Sequence, residues 1–344
     1  QKGVIAGVGS VIVFLPQIMI LFLFILLLED LGYMARAAFL MDRVMGGAGL
    51  HGRAFIPLLS SFACAIPGIM ATRVIDNRRD RLTTIMVAPL MTCSARIPVY
   101  TLIISAFVPD EKVWGPIGLQ GLVMFGLYAI GIASALAVSF VANHFFWRES
   151  ATPPFMLELP DYKLPQLRSV AIALYARVMA FLKRAGTTIF SMMVVIWFLA
   201  SFPRPPAGAA EPGINYSLAA IIGRWIEPVL APIGFNWQIS VALIPGMAAR
   251  EVAVASLGTM YAIAGGDEAS AEIGRALAGN WSLATALAFL AWFIFAPQCA
   301  STLAVIRRET GGWRWMFITF FYMLALAYLA AFITFHIAVA LGWG

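Results

Sequence analysis

Ile66-Pro67-Gly68-Ile69-Met70-Ala71-Thr72-Arg73 closes the apolar run 54–72, and it returns as Ile244-Pro245-Gly246-Met247-Ala248-Ala249-Arg250 in the apolar run 237–264, one residue shorter. A second pair follows in the same order: Ala88-Pro89-Leu90-Met91-Thr92-Cys93 within 82–108, and Ala296-Pro297-Gln298-Cys299 within 282–306. Each echo is centred on a proline inside an apolar run. Proline has no N–H, so each one frees the carbonyl a helical turn before it: Ala63, Ile85, Val241 and Phe293. In hydrocarbon a bare carbonyl is costly, so such breaks persist only where protein, water or an ion satisfies them. Matched broken helices in two halves of a chain point to a transporter's midplane site between two repeats. For any one proline, a kink that only shapes packing is the plain alternative.

The composition sets the frame for those breaks. The 344 residues are 61% hydrophobic and 12% charged, against roughly 45–50% and about 25% in soluble domains. That balance leaves too little polar surface for a cytosolic enzyme, a disordered protein or a secreted disulfide scaffold. The long apolar runs indicate helices rather than a barrel. The fold class expected is all-α: a polytopic transmembrane bundle of eight or nine spans, built from two repeats, inverted, with proline-broken helices. Residues 1–142 form the first transmembrane half. Residues 143–184 are a proline-rich cytoplasmic linker with an interfacial amphipathic helix over 170–184, and 185–344 form the second half.

Charge sets a topology. The net charge is +6, and basic loops mark the cytoplasmic side. Loops 73–81, 143–184 and 307–314 are therefore placed inside, and 109–116 and 265–281 outside. These placements agree if 217–236 crosses as a ninth span and the N-terminus is cytoplasmic; Arg36, Arg43 and Arg53 are the exception. On this reading 54–72 and 237–264 run in opposite directions. The first residue is Gln1, which implies a preceding segment, and no signal-peptide layout follows it. Nothing resembles a nucleic-acid groove.

The three cysteines, Cys64, Cys93 and Cys299, each lie within about a turn of a matched proline. A buried cysteine is most often a small hydrophobe. Three of three beside breaks favour a role for Cys64 and Cys93, less so for Cys299. Thiolates, freed carbonyls and a carboxylate suit a first-row metal cation, and sulfur argues against Mg²⁺ or Ca²⁺; iron, manganese, zinc and copper stay open on ligand type. Glu251 supplies an intramembrane carboxylate, a functional candidate by its position, unless Arg96 neutralises it. Glu29 and Asp30 end the first span, where capping charge is the plain reading. His51, His144 and His336 form no metal spacing. Gly46-Gly47-Ala48-Gly49 lacks the Lys-Ser/Thr of a phosphate loop. No nucleophile elbow or metalloprotease helix occurs, so the chain is not read as an enzyme.

Glu29-Asp30-Leu31-Gly32-Tyr33-Met34-Ala35-Arg36-Ala37-Ala38-Phe39, followed by Met41-Asp42-Arg43, resembles the first membrane signature of the ferrous iron transport protein B family. Phe55-Ile56-Pro57-Leu58-Leu59-Ser60 and Cys93-Ser94-Ala95-Arg96-Ile97-Pro98-Val99-Tyr100 resemble further elements of it, as do Arg250-Glu251-Val252 and Ala304–Gly311 after Cys299. The resemblance spans residues 29–315. It implies a bacterial inner-membrane Fe²⁺ permease with two gate repeats, with Fe²⁺ as transported substrate. Carried over by position, Cys64, Cys93 and Glu251 become metal-pathway residues, with Cys299 and Glu29 behind them. It also implies a cytoplasmic GTP-binding domain, using GTP and Mg²⁺, that this sequence lacks, and small accessory proteins; oligomerisation stays open. Phe62-Ala63-Cys64-Ala65 departs from the family pattern, which has Gly before and Asn after the cysteine. A nucleoside-type transporter and a gate-repeat scaffold or signalling protein are the alternatives.

Overall fold

A computed structural model of the chain describes residues 16–47 in part, 49–114, 117–146, 165–183, scattered positions from 191 to 203, 216–248, scattered positions from 250 to 257, 269–297 and 299–344. Helix α1 (Tyr33–Gly47) leads to a short 3-10 turn, Gly52–Ala54, capped by His51, whose ring accepts the Arg53 amide. Helix α2 (Phe55–Ala63) stops at Cys64, which is extended, and α3 (Ala65–Ala71) starts at once.

Helices α2 and α3 fold back on each other. A Cβ placed on Gly68 would lie 2.0 Å from Ser61 Oγ and 2.7 Å from the Pro57 carbonyl oxygen. In one straight helix residues 57 and 68 would be about 16 Å apart along the axis. The two ends of the unit also meet, where Arg53 pairs with Asp76 at 2.6 Å. The run 54–72 is therefore a helical hairpin and not the single proline-broken crossing expected. Two local facts explain it. Pro67 falls in the first turn of α3, where its missing N–H removes no helical bond. Gly68 lets α3 close on α2 with no side chain between them.

Helix α4 (Arg78–Val87) is capped by Asn77, whose side chain accepts the Arg79 amide. A 3-10 turn (Ala88–Leu90), an extended stretch through Cys93 and a second 3-10 turn (Ser94–Arg96) separate it from α5 (Ile97–Phe107). A small antiparallel hairpin, β1 (Lys112–Trp114) and β2 (Ile117–Gly118), precedes the long α6 (Leu119–Phe146). Helix α7 (Leu167–Phe181) takes up most of the expected amphipathic segment. It exposes Leu167, Ile172 and Tyr175, and its capping residue Gln166 donates its amide to Asp30 at 2.9 Å.

In the second half, α8 (Leu218–Leu230) and α9 (Trp237–Ala248) meet at 107°. The bend passes through Gly234 at φ +78°, where a Cβ would sit 2.2 Å from the Phe335 ring. Left-handed backbone against an aromatic face leaves room for glycine alone. Helices α10 (Ala269–Asn280), α11 (Leu283–Phe295), α12 (Ala300–Thr310) and α13 (Trp313–Ala340) complete the chain.

Among the described residues, four segments are long and apolar enough to span a membrane: 78–107, 119–144, 283–310 and 313–340. The number is five if the bent α8–α9 pair counts as one. Among the described residues the count falls below the eight or nine expected because 54–72 folds back and because 217–236 and the described start of the expected span 237–264 are arms of one bent unit. The runs 4–28 and 185–202 lie largely outside the described residues.

Two apolar cores result. One gathers α5, α8–α9, α11 and the middle of α13, with Phe289 against Trp281 (5.2 Å between centroids) and Phe293 (4.6 Å). The other joins α1–α4 to α12 and the start of α13 through Ile69, Ile85, Leu90, Ile306 and Met323. Helix α13 belongs to both. It buries Thr319, Met323, Ala327 and Ala331 at four-residue spacing, and Ala338 two turns on, a mostly small-residue stripe that lets backbones approach closely. On one face of the bundle, Glu309 at the end of α12 accepts from Arg73 Nε (2.8 Å) and from Arg81 Nη2 (3.0 Å). That hydrogen bond, with the charge behind it, lifts the Arg73 guanidinium above its usual range.

Candidate functional site at the helix breaks

Each cysteine is the residue just ahead of a helix that starts at a break: Cys64 before α3, Cys93 before the turn into α5, Cys299 before α12. All three are extended, with ψ of 135°, 160° and 153°. No disulfide links them; Cys93 is buried and the other two are half-buried. Cys299 Sγ lies 3.2 Å from Thr302 Oγ1, one turn on.

The breaks converge. Ser94, next to Cys93, donates its hydroxyl to the Ala63 carbonyl beside Cys64 at 2.9 Å. Phe62 stacks on Tyr128 of α6 at 6.3 Å, and Tyr128 lies within electrostatic reach of Tyr100, Cys93 and Arg96. Arg250 lies within electrostatic reach of Arg96, Cys93, Tyr100 and Cys299. Cys93 and Cys299, one from each half, thus both act electrostatically on a single guanidinium.

That guanidinium caps the second break. Arg250 is 2% exposed. Its Nη1 donates to the Phe293 carbonyl at 3.2 Å, and its Nη2 donates to those of Ala296 and Pro297. Cations suit helix C-termini, where the aligned peptide dipoles leave partial negative charge. Arg96, fully buried, does the equivalent at the first break by donating Nη2 to the Pro89 carbonyl at 3.3 Å. Two of the four carbonyls freed by proline, Ala63 and Phe293, are thereby satisfied by a serine and an arginine of the chain itself.

Of the expected site residues, the structure brings Cys64, Cys93 and Cys299 to neighbouring breaks. Glu251 and Glu29 lie outside the described residues. Among the described residues, no three or more His, Cys, Asp or Glu side chains are grouped closely enough to hold a metal ion. In the sequence Arg250 stands out only within the repeat echo and the Arg250-Glu251-Val252 resemblance, and Arg96 only within the Cys93–Tyr100 resemblance and as a partner for Glu251. The sequence signal shared by both is an arginine inside an apolar run; the carbonyls they reach, Pro89 for Arg96 and Phe293, Ala296 and Pro297 for Arg250, appear only in the fold.

The family described as Gate, nucleoside recognition, matches residues 11–107 and 182–313, more than half of the chain. The ferrous iron transport protein B C-terminal family matches 124–177, between those two segments. The Fe(2+) transporter FeoB of Leptospira interrogans is 43% identical over 98% of this chain and 50% of its own length. The Campylobacter jejuni Fe(2+) transporter FeoB is 39% identical over 98% of this chain and 54% of its own. An Fe(2+) transport protein A/FeoB fusion protein of Porphyromonas gingivalis is 39% identical over 98% of this chain and 44% of its own. The chain thus spans about half the length of the curated relatives it matches, and no solved structure gives a significant match. With two Gate segments flanking a ferrous iron transport protein B C-terminal element, the chain belongs to the Gate family, in the form carried by the membrane region of FeoB proteins.

Proposed function

We propose that this chain is the membrane pathway of a bacterial inner-membrane ferrous iron permease. Fe²⁺ passes the breaks with Cys64, Cys93 and Glu251 as ligands, and Cys299 and Glu29 lie further along. The observation that carries this reading is the placement of all three cysteines at helix breaks that meet between the two halves. Soft sulfur donors suit Fe²⁺ over the harder divalent cations, and the named relatives are Fe(2+) transporters. The basic loops face the cytoplasm, where a GTP-binding domain, in the same natural chain or a separate one, and small accessory proteins act on the gate.

The test is anaerobic radiolabelled Fe²⁺ uptake into proteoliposomes holding the chain with its GTP-binding domain. Cys93→Ser and Cys64→Ser should each lower uptake about tenfold or more, since losing even an outer-shell partner of a metal ligand costs that much. Full uptake in both would remove the cysteines from the pathway. Inhibition by nucleosides instead would favour the recognition that the Gate description names.

A further inference from the structure

Arg96 and Arg250 carry more positive charge than the helix ends beside them can balance. A helix C-terminus supplies roughly half a negative charge, so two such ends offset about one of the two guanidiniums. Among the described residues, no carboxylate stands with the electrostatic neighbours of Arg250, which are Arg96, Cys93, Tyr100 and Cys299. Arg96 Nε and Nη1 and Arg250 Nε are buried without a hydrogen-bond partner. Donors left bare in an interior are costly and ask for a reason.

We propose that Arg96 and Arg250 form the cation barrier of the closed gate: a pair of buried positive charges, one held at each half's break beside Cys93 and Cys299, that excludes divalent cations until the breaks separate. The geometry matches the role. The same bonds that anchor the guanidiniums, to Pro89 on one side and to Phe293, Ala296 and Pro297 on the other, tie the charge to the break itself. Movement of a half-helix therefore carries its arginine with it. A fixed arginine in a narrow path is a general means of excluding cations. Selectivity then divides between two groups: sulfur chooses the metal, and the arginines decide when any dication passes.

The inference rests on the pathway running past Cys93, and its test separates the two. Arg96 is the better probe, since it makes one capping bond whereas Arg250 makes three. Wild type, Arg96→Gln, Arg96→Lys and Arg96→Gln/Cys93→Ser are reconstituted, and anaerobic Fe²⁺ and Mn²⁺ influx is followed with the GTP-binding domain unloaded. Arg96→Gln should raise passive influx of both ions by about a hundredfold, the order for removing one unit charge roughly 10 Å from a dication's path. Arg96→Lys should stay within about threefold of wild type, since the charge is kept. A folded Arg96→Gln protein with wild-type or lower influx, or an Arg96→Lys protein that leaks equally, overturns the barrier. If Arg96→Gln leaks and the double variant leaks just as much, the barrier stands and the cysteine ligand is what fails.

Discussion

Gly68→Ala tests the tightest contact in the fold. The added methyl would start 2.0 Å from Ser61 Oγ, 3.1 Å from Ser61 Cβ and 2.7 Å from the Pro57 carbonyl oxygen. A hydroxyl can rotate away, at the loss of its 2.8 Å bond to that same carbonyl. The carbonyl cannot, because it belongs to the backbone of α2. Overpacking of this kind costs about 1–3 kcal/mol, against a helix-propensity gain of about 1 kcal/mol for Ala over Gly. The net is about 0–2 kcal/mol of destabilisation, placed at the upper end because the backbone carbonyl cannot move aside, which is a few degrees in Tm by the size scaling of domains. Ser61→Ala/Gly68→Ala should recover only part of it, since the Pro57 oxygen remains. The echoed Gly246 is the internal control: among the described residues, a Cβ there meets Ala253 Cβ at 3.0 Å before the next atoms at 3.8 Å and beyond. Gly246→Ala should therefore change Tm by about a degree or less, within the usual range of mild substitutions. Tryptophan-fluorescence melting of the detergent-purified protein measures all three variants against wild type. Gly68→Ala with a wild-type Tm, or Gly246→Ala as the worse of the pair, would refute the hairpin packing.

Other outcomes follow from single contacts. Ser94→Ala leaves the proline-freed Ala63 carbonyl bare, which should cost about 1–2 kcal/mol and lower uptake by displacing Cys64 from Cys93; melting and uptake on one preparation check both. Tyr322→Phe removes the hydroxyl bond to the Met86 carbonyl and should lower stability by about 1 kcal/mol with no change in metal selectivity, read from melting and Fe²⁺/Mn²⁺ competition. Glu309→Gln releases Arg73 and Arg81, and hydrogen exchange over 72–81 should quicken while exchange in α11 holds.

Much of this site is legible in the residues. The prolines fall beside the breaks and every cysteine borders one, because a missing N–H and a short helix start are local properties of the chain. The role of Pro67 is less so. In an apolar run it reads equally as a kink within a span or as the first turn of a new helix, and what decides is the contact of Gly68 with Pro57, eleven residues away in sequence. The bend at Gly234 is set by Phe335 on α13, which no local pattern announces. The arginine caps are hidden for a similar reason: sequence shows which carbonyls are freed, but not that Arg250 reaches the one at Phe293.

The hairpin also changes which side of the membrane its flanks occupy. A chain that folds back at Cys64 returns to where it began, as the Arg53–Asp76 pair records. Arg36, Arg43 and Arg53 then share a face with Arg73, Arg78, Arg79 and Arg81, so the one stretch at odds with the charge rule falls into line with it. Impermeant thiol labelling of single cysteines placed at 53 and 76 in sealed vesicles reads directly whether both flanks lie on one side.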